Sequence, residues 1–152
     1  MHTFLIFLGL AFAMVLGQVL MLRPGAEDKR LMQLRDAARQ QGFQVRLVPP
    51  PAWLRLPDGA RLVACYTVFV DEGATFLPAW RVEQREGEWL TRVGDAGLLA
   101  RLSLPPEAAS VLALEAGANA VHLYWSETLA PGSLPPLFFL LRQVIEKAII
   151  NQ

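Results

Sequence analysis

LVACYTVFV, residues 62–70, is apolar at nearly every position and rich in β-branched and aromatic side chains. A run this short with no period of two reads as a strand buried on both faces. The strand is expected over Ala60 to Val70, bounded by the turn formers Asp58-Gly59 and Asp71-Glu72-Gly73, and is the candidate for the centre of a sheet. Upstream, Phe43, Val45 and Leu47 alternate with Gln44 and Arg46, the pattern of a half-buried strand, and Pro49 to Pro51 stop it. Downstream, Trp80 and Val82 alternate with Arg81 and Glu83, and Arg85-Glu86-Gly87-Glu88 turns the chain back into Trp89 to Val93. Glu83, Glu86 and Glu88 are expected on a solvated hairpin tip. A last strand is expected over Ala120 to Trp125.

Between these strands, Asp95 to Leu102 has the composition of a short helix, and Pro105-Pro106-Glu107 is expected to open another through Ala116, with Gly117 as its stop. Ser133 and Leu134-Pro135-Pro136 start a C-terminal helix whose Leu137, Leu141, Val144, Ile145 and Ala148 fall on one stripe. That stripe suits packing against the sheet; burial in a protein partner or at a membrane interface is the other use open to it. The fold class is α+β, with a mostly antiparallel sheet of about five strands and two to three helices behind an N-terminal transmembrane helix.

Residues 3–22, TFLIFLGLAFAMVLGQVLML, contain no charge. At about 1.5 Å per helical residue such a run spans a hydrocarbon layer of about 30 Å. A cleavable signal would begin with a basic stretch and end on small residues, whereas Met1, His2 and Thr3 precede this run and Arg23-Pro24 follow it. Arg23, Lys29, Arg30, Arg35, Arg39 and Arg46 come after the helix, with only His2 and the α-amino group before it. Basic residues stay on the cytoplasmic side. The expected organisation is a transmembrane anchor over 1–22, a juxtamembrane helix over 23–42, and a cytoplasmic α+β domain over 43–152. The N-terminus is then periplasmic, in a bacterial inner membrane.

Within the anchor, Gly9, Ala13 and Gly17 share one face and Gln18 adjoins them. Small residues repeating every fourth position let a second helix approach closely, and an amide in hydrocarbon seeks a partner. Glycine and alanine are also common in any membrane helix, so both readings stand. The partners this composition suggests are the membrane and a protein, met through the anchor or the apolar C-terminal helix.

Fourteen basic residues balance fourteen acidic ones, which leaves no field to gather nucleic acid. The lone Cys65 excludes an internal disulfide, and it lies in the most apolar strand, where a thiol is a small hydrophobe. His2 and His122 are the only histidines, and one histidine with one cysteine cannot complete a structural zinc site. His122 and Tyr124 share one strand face while Val121, Leu123 and Trp125 take the other, the setting of a half-exposed histidine. No phosphate-binding loop is present, and Gly94-Asp95-Ala96-Gly97 lacks the basic surround of a nucleic-acid clamp. No catalytic residue, cofactor or metal is expected, and a non-enzymatic role leads, with a tethered enzyme or ligand-sensing module as the alternatives.

The segment VLMLRPGAEDKRLMQLRDAARQQGFQV resembles YajC, the short bacterial inner-membrane accessory of the preprotein translocase, over about residues 14–48. The likeness rests on Arg23-Pro24 at the end of one helix, Lys29-Arg30 in the next, and Gly42 turning into a strand. It implies an accessory subunit acting by protein–protein contact and no catalytic residues. The chain then departs from that family, being longer and adding two further helices.

Overall fold

The computed structural model describes residues 2–21, 25–56, 59–71 and 76–149. Arg23, Pro24, Asp58, Glu72 and Gly73, which mark boundaries in the sequence, lie outside them, as does Leu22. Contacts divide the chain into two units, Met1–Met32 and Gln33–Gln152.

The first unit holds α1 (His2–Met21), twenty residues without Asp, Glu, Lys or Arg, and the start of α2 (Ala26–Gln40). Side chains of α1 are described from Ile6 to Gln18, and all are exposed. Taken over the described residues, no helix is long and apolar enough to cross a membrane. The span expected over 3–22 reaches beyond those side chains. Asp28 accepts from the Gly25 backbone N–H at 3.1 Å and, with Glu27, places negative charge at the amino end of α2, where the helix dipole favours it.

The second unit begins inside α2, so the helix expected over 23–42 gives its later turns to the domain: Leu34 and Ala38 are fully buried. Gly42 ends it at φ +100°, a conformation that side chains resist, and the chain enters Phe43 and β1 (Gln44–Val48). Then come β2 (Val63–Phe69), β3 (Leu77–Arg85), β4 (Glu88–Val93), α3 (Ala96–Ala100), a 3₁₀ turn (Pro106–Ser110), β5 (Val111–Ala118), β6 (Ala120–Trp125), a second 3₁₀ turn (Pro131–Ser133) and α4 (Leu134–Ile149). All six strands pair antiparallel in the order β1-β2-β6-β5-β3-β4.

Two expectations about this sheet are corrected. The LVACYTVFV strand is interior but one place from the edge, and β6 and β5 hold the centre. The helix expected from Pro105 to Ala116 is a 3₁₀ turn followed by β5, which is why there are six strands and not five. Alanine and leucine favour helices in isolation, but here Val111, Ala113, Leu114 and Ala116 are buried between two neighbouring strands, and packing overrides propensity. Gly117 consequently pairs with Ala120 in the β5–β6 hairpin and stops no helix.

One face of the sheet carries the main core. Tyr66, Val68, Trp80, Val82, Leu114, Val121, Leu123 and Trp125 pack there with Leu34 and Ala38 of α2 and with the stripe of α4. Leu137, Leu140, Leu141, Val144, Ile145 and Ala148 are all buried, so α4 lies on the sheet as its periodicity requires. At roughly 25 cal/mol per Å² of apolar area, this layer is the main source of stability. Tyr66 takes edge-on contacts from Phe43 and Trp125, at ring separations of 5.5 and 5.2 Å. Asp95 caps α3 by accepting from the Gly97 N–H at 2.7 Å. Just before it, Gly94 (φ +86°) crosses β3 so closely that a Cβ would stand 2.5 Å from the Ala79 carbonyl oxygen.

Candidate functional site

Two candidate sites stand out among the described residues: the helix α1 and the sheet face opposite α4. On α1, Ala13 and Gln18 are exposed, and a Cβ added at Gly9 or Gly17 would meet nothing within 4 Å. The stripe therefore offers room for close approach.

The opposite sheet face is polar and partly covered by the strap of residues 49–56. Leu54 of the strap is buried with Val63, Cys65, Ala113 and Tyr124. Trp53 meets the Tyr124 ring edge-on at 6.0 Å, and Arg81 Cζ lies 5.7 Å from the Trp53 ring centre. Beneath, a hydrogen-bonded row crosses the strands. Arg81 Nε donates to Glu115 Oε1 at 2.7 Å, and the Tyr124 hydroxyl donates to Glu115 Oε2 at 3.1 Å. Thr67 Oγ1 and His122 Nδ1 are 2.8 Å apart, with Cys65 Sγ at 3.7 and 3.9 Å from them.

Burial pushes the Cys65 thiol above its ordinary range, and burial lowers the His122 pKa. Desolvation likewise raises the Tyr124 hydroxyl. Both shifts run opposite to the electropositive setting that activates a cysteine, and the hydrogen bonds of this row order the sheet face. The reading of Cys65 as a buried hydrophobe and of His122 as half-exposed agrees with the geometry. Beside the row lies an open groove of about 470 Å³ lined in part by Arg46, Thr67 and His122.

Glu83 is the residue whose place the sequence misjudges. It is 2% exposed, not solvated, and accepts from Arg92 and from Arg85 Nε, the latter at 2.8 Å. Glu86 and Glu88 do lie in the open. Alternation along β3 puts Glu83 on the strap side with Arg81, away from Val82. Arg55, Arg81, Arg85 and Arg92 surround a cleft of about 530 Å³ at this point.

A second buried carboxylate, Glu127, is 5% exposed and sits at the rim of the core face. Arg35 of α2 grips it through Nε at 2.8 Å and Nη2 at 2.6 Å, and the Tyr66 hydroxyl donates to it at 2.8 Å. Of the basic residues that set the expected orientation, Arg35 is thus committed to the fold, while Arg30 and Arg39 pair with Glu27 and Asp36 on their own helix. No periodicity in the sequence marks Glu127, whose partner is 92 positions away.

Among the described residues, no group of three or more His, Cys, Asp or Glu side chains could hold a metal ion. No family model, curated protein or solved structure matches this chain.

Proposed function

We propose that the chain is a single-pass accessory or assembly subunit of a bacterial inner-membrane complex, with α1 in the bilayer, the N-terminus periplasmic and the domain cytoplasmic. Protein–protein contact is its mode of action, and the likeness of residues 14–48 to the YajC family makes preprotein translocation the leading setting. The observation that carries the reading is α1 itself. Its twenty residues include no charge, and Ile6, Phe7, Leu8, Leu10, Phe12, Met14, Val15 and Leu16 stand 46–70% exposed. An apolar surface of that extent calls for lipid or another protein to cover it. The stripe of Gly9, Ala13 and Gly17, with Gln18, is the contact that a partner helix would use.

A reporter fused after Gln152 tests the topology: activity of a cytoplasm-only reporter is expected, and periplasmic activity overturns the orientation. Gly17→Leu and Ala13→Leu should lower crosslinking yield with a partner helix by severalfold at matched expression, with Leu10→Ile unchanged and Gln18→Leu affected less. Equal yields in all four variants would remove the helix-mediated contact from the proposal.

A further inference from the structure

The cleft between the strap and the β3–β4 hairpin collects Arg55, Arg81, Arg85 and Arg92 around Trp53. Like charges at this spacing repel, and the fold sets two carboxylates against them. Glu83 holds Arg85 and Arg92, and Glu115 holds Arg81. Among the described residues, four guanidinium groups paired with two carboxylates leave two positive charges uncompensated, and Glu86 and Glu88 pair with none of the four. Arg55 has no carboxylate partner among the described residues. Arg81 and Arg85 each engage a carboxylate through Nε, which orients the terminal nitrogens as donors without consuming them.

We propose that this cleft binds a phosphate monoester. Planar guanidinium forks match phosphate oxygens, and a monoester carries a charge of about −1.5 to −2 at pH 7, against −1 for a carboxylate. A residual charge of two therefore selects phosphate. The cleft, at about 530 Å³, has space beyond the phosphate group, and Trp53 and Val93 offer apolar surface to the esterified part. Anchoring of Arg85 and Arg92 on a buried carboxylate fixes the donors before the ligand arrives, so less side-chain entropy is lost on binding. The inference stands apart from the membrane reading, since a free ester and a phosphatidic acid headgroup present the same chemistry.

The test uses the full chain in neutral maltoside micelles, followed by tryptophan fluorescence. One arm adds phenyl phosphate, with benzoate at equal ionic strength as the comparison. The other adds phosphatidic acid to the micelles, with phosphatidylcholine as the comparison. Saturation by phenyl phosphate but not benzoate is expected, weakened about tenfold by Arg55→Glu, less by Arg55→Gln, and not by substitution of the exposed Arg61 just before β2, Arg61→Glu. Saturation only in the lipid arm, with the same variant order, assigns the phosphate to a headgroup and supports the site. The proposal is overturned if neither arm saturates, if benzoate equals phenyl phosphate, or if Arg61→Glu weakens binding as much as Arg55→Glu.

Discussion

The two faces of the sheet are made by the same six strands and solve different problems. Toward α4, the alternate residues are Tyr66, Val68, Trp80, Val82, Leu114, Leu123 and Trp125, close-packed and apolar. Toward the strap they are Cys65, Thr67, Arg81, Glu115, His122 and Tyr124, which pair with one another, and Glu83, which pairs with Arg85 and Arg92. A polar group taken from water costs free energy unless it finds a partner, so the strap face is ordered by pairing where the other is ordered by packing. One layer sets stability, and the other is free to carry charge.

The comparison breaks most directly in the core. Leu141→Ala on α4, at a fully buried position, should cost about 3 kcal/mol through lost transfer energy and the cavity left behind, read as the shift in a urea unfolding curve. Glu127→Gln should follow at about 2 kcal/mol, because the desolvated group that Arg35 and Tyr66 share loses its charge and one of its two acceptor oxygens at the rim of that face. Glu83→Gln should cost less, about 1 kcal/mol, since Arg85 and Arg92 are partly exposed and regain water. If Glu83→Gln matched Leu141→Ala, the strap face would count as a second core.

The smallest expected effect is a pH dependence. Burial lowers the pKa of His122 in the fold, so the unfolded chain binds the proton more readily. Stability contributed by the neutral ring is then present above the unfolded value of 6.5 and is lost as pH falls through the lower, folded one. The unfolding midpoint should drop on going below pH 6.5, and His122→Gln should flatten that slope. An unchanged slope in the variant would place the acid sensitivity elsewhere.

Much of the fold was legible from periodicity. The β3–β4 hairpin, β6 and α4 stand where alternation, turn chemistry and the apolar stripe of Leu137 to Ala148 put them. Misreading began where local preference opposed tertiary setting: the alanines and leucines of Val111 to Ala116 favour a helix alone, yet become central strand once β3 and β6 flank them. The site residues were less legible. Glu83 looked like one acid among three near a turn: Arg85 is its neighbour two places along β3, but Arg92 comes into range only when β4 folds back on β3. Arg55 lies in a strap whose prolines announce an extended path but not its destination.

Gly94 carries a consequence for descent. A side chain at this corner would be driven into the Ala79 carbonyl oxygen and the backbone of Trp80, whose indole N–H donates to the Asp95 carbonyl at 3.0 Å. Mutation can change the strap, the groove and the charge of the cleft while the domain still folds, but drift at position 94 is closed as long as the hairpin crosses β3 here. In distant descendants, long after other identities have faded, a tryptophan in the third strand and a glycine-aspartate pair just past the fourth should still be inherited together.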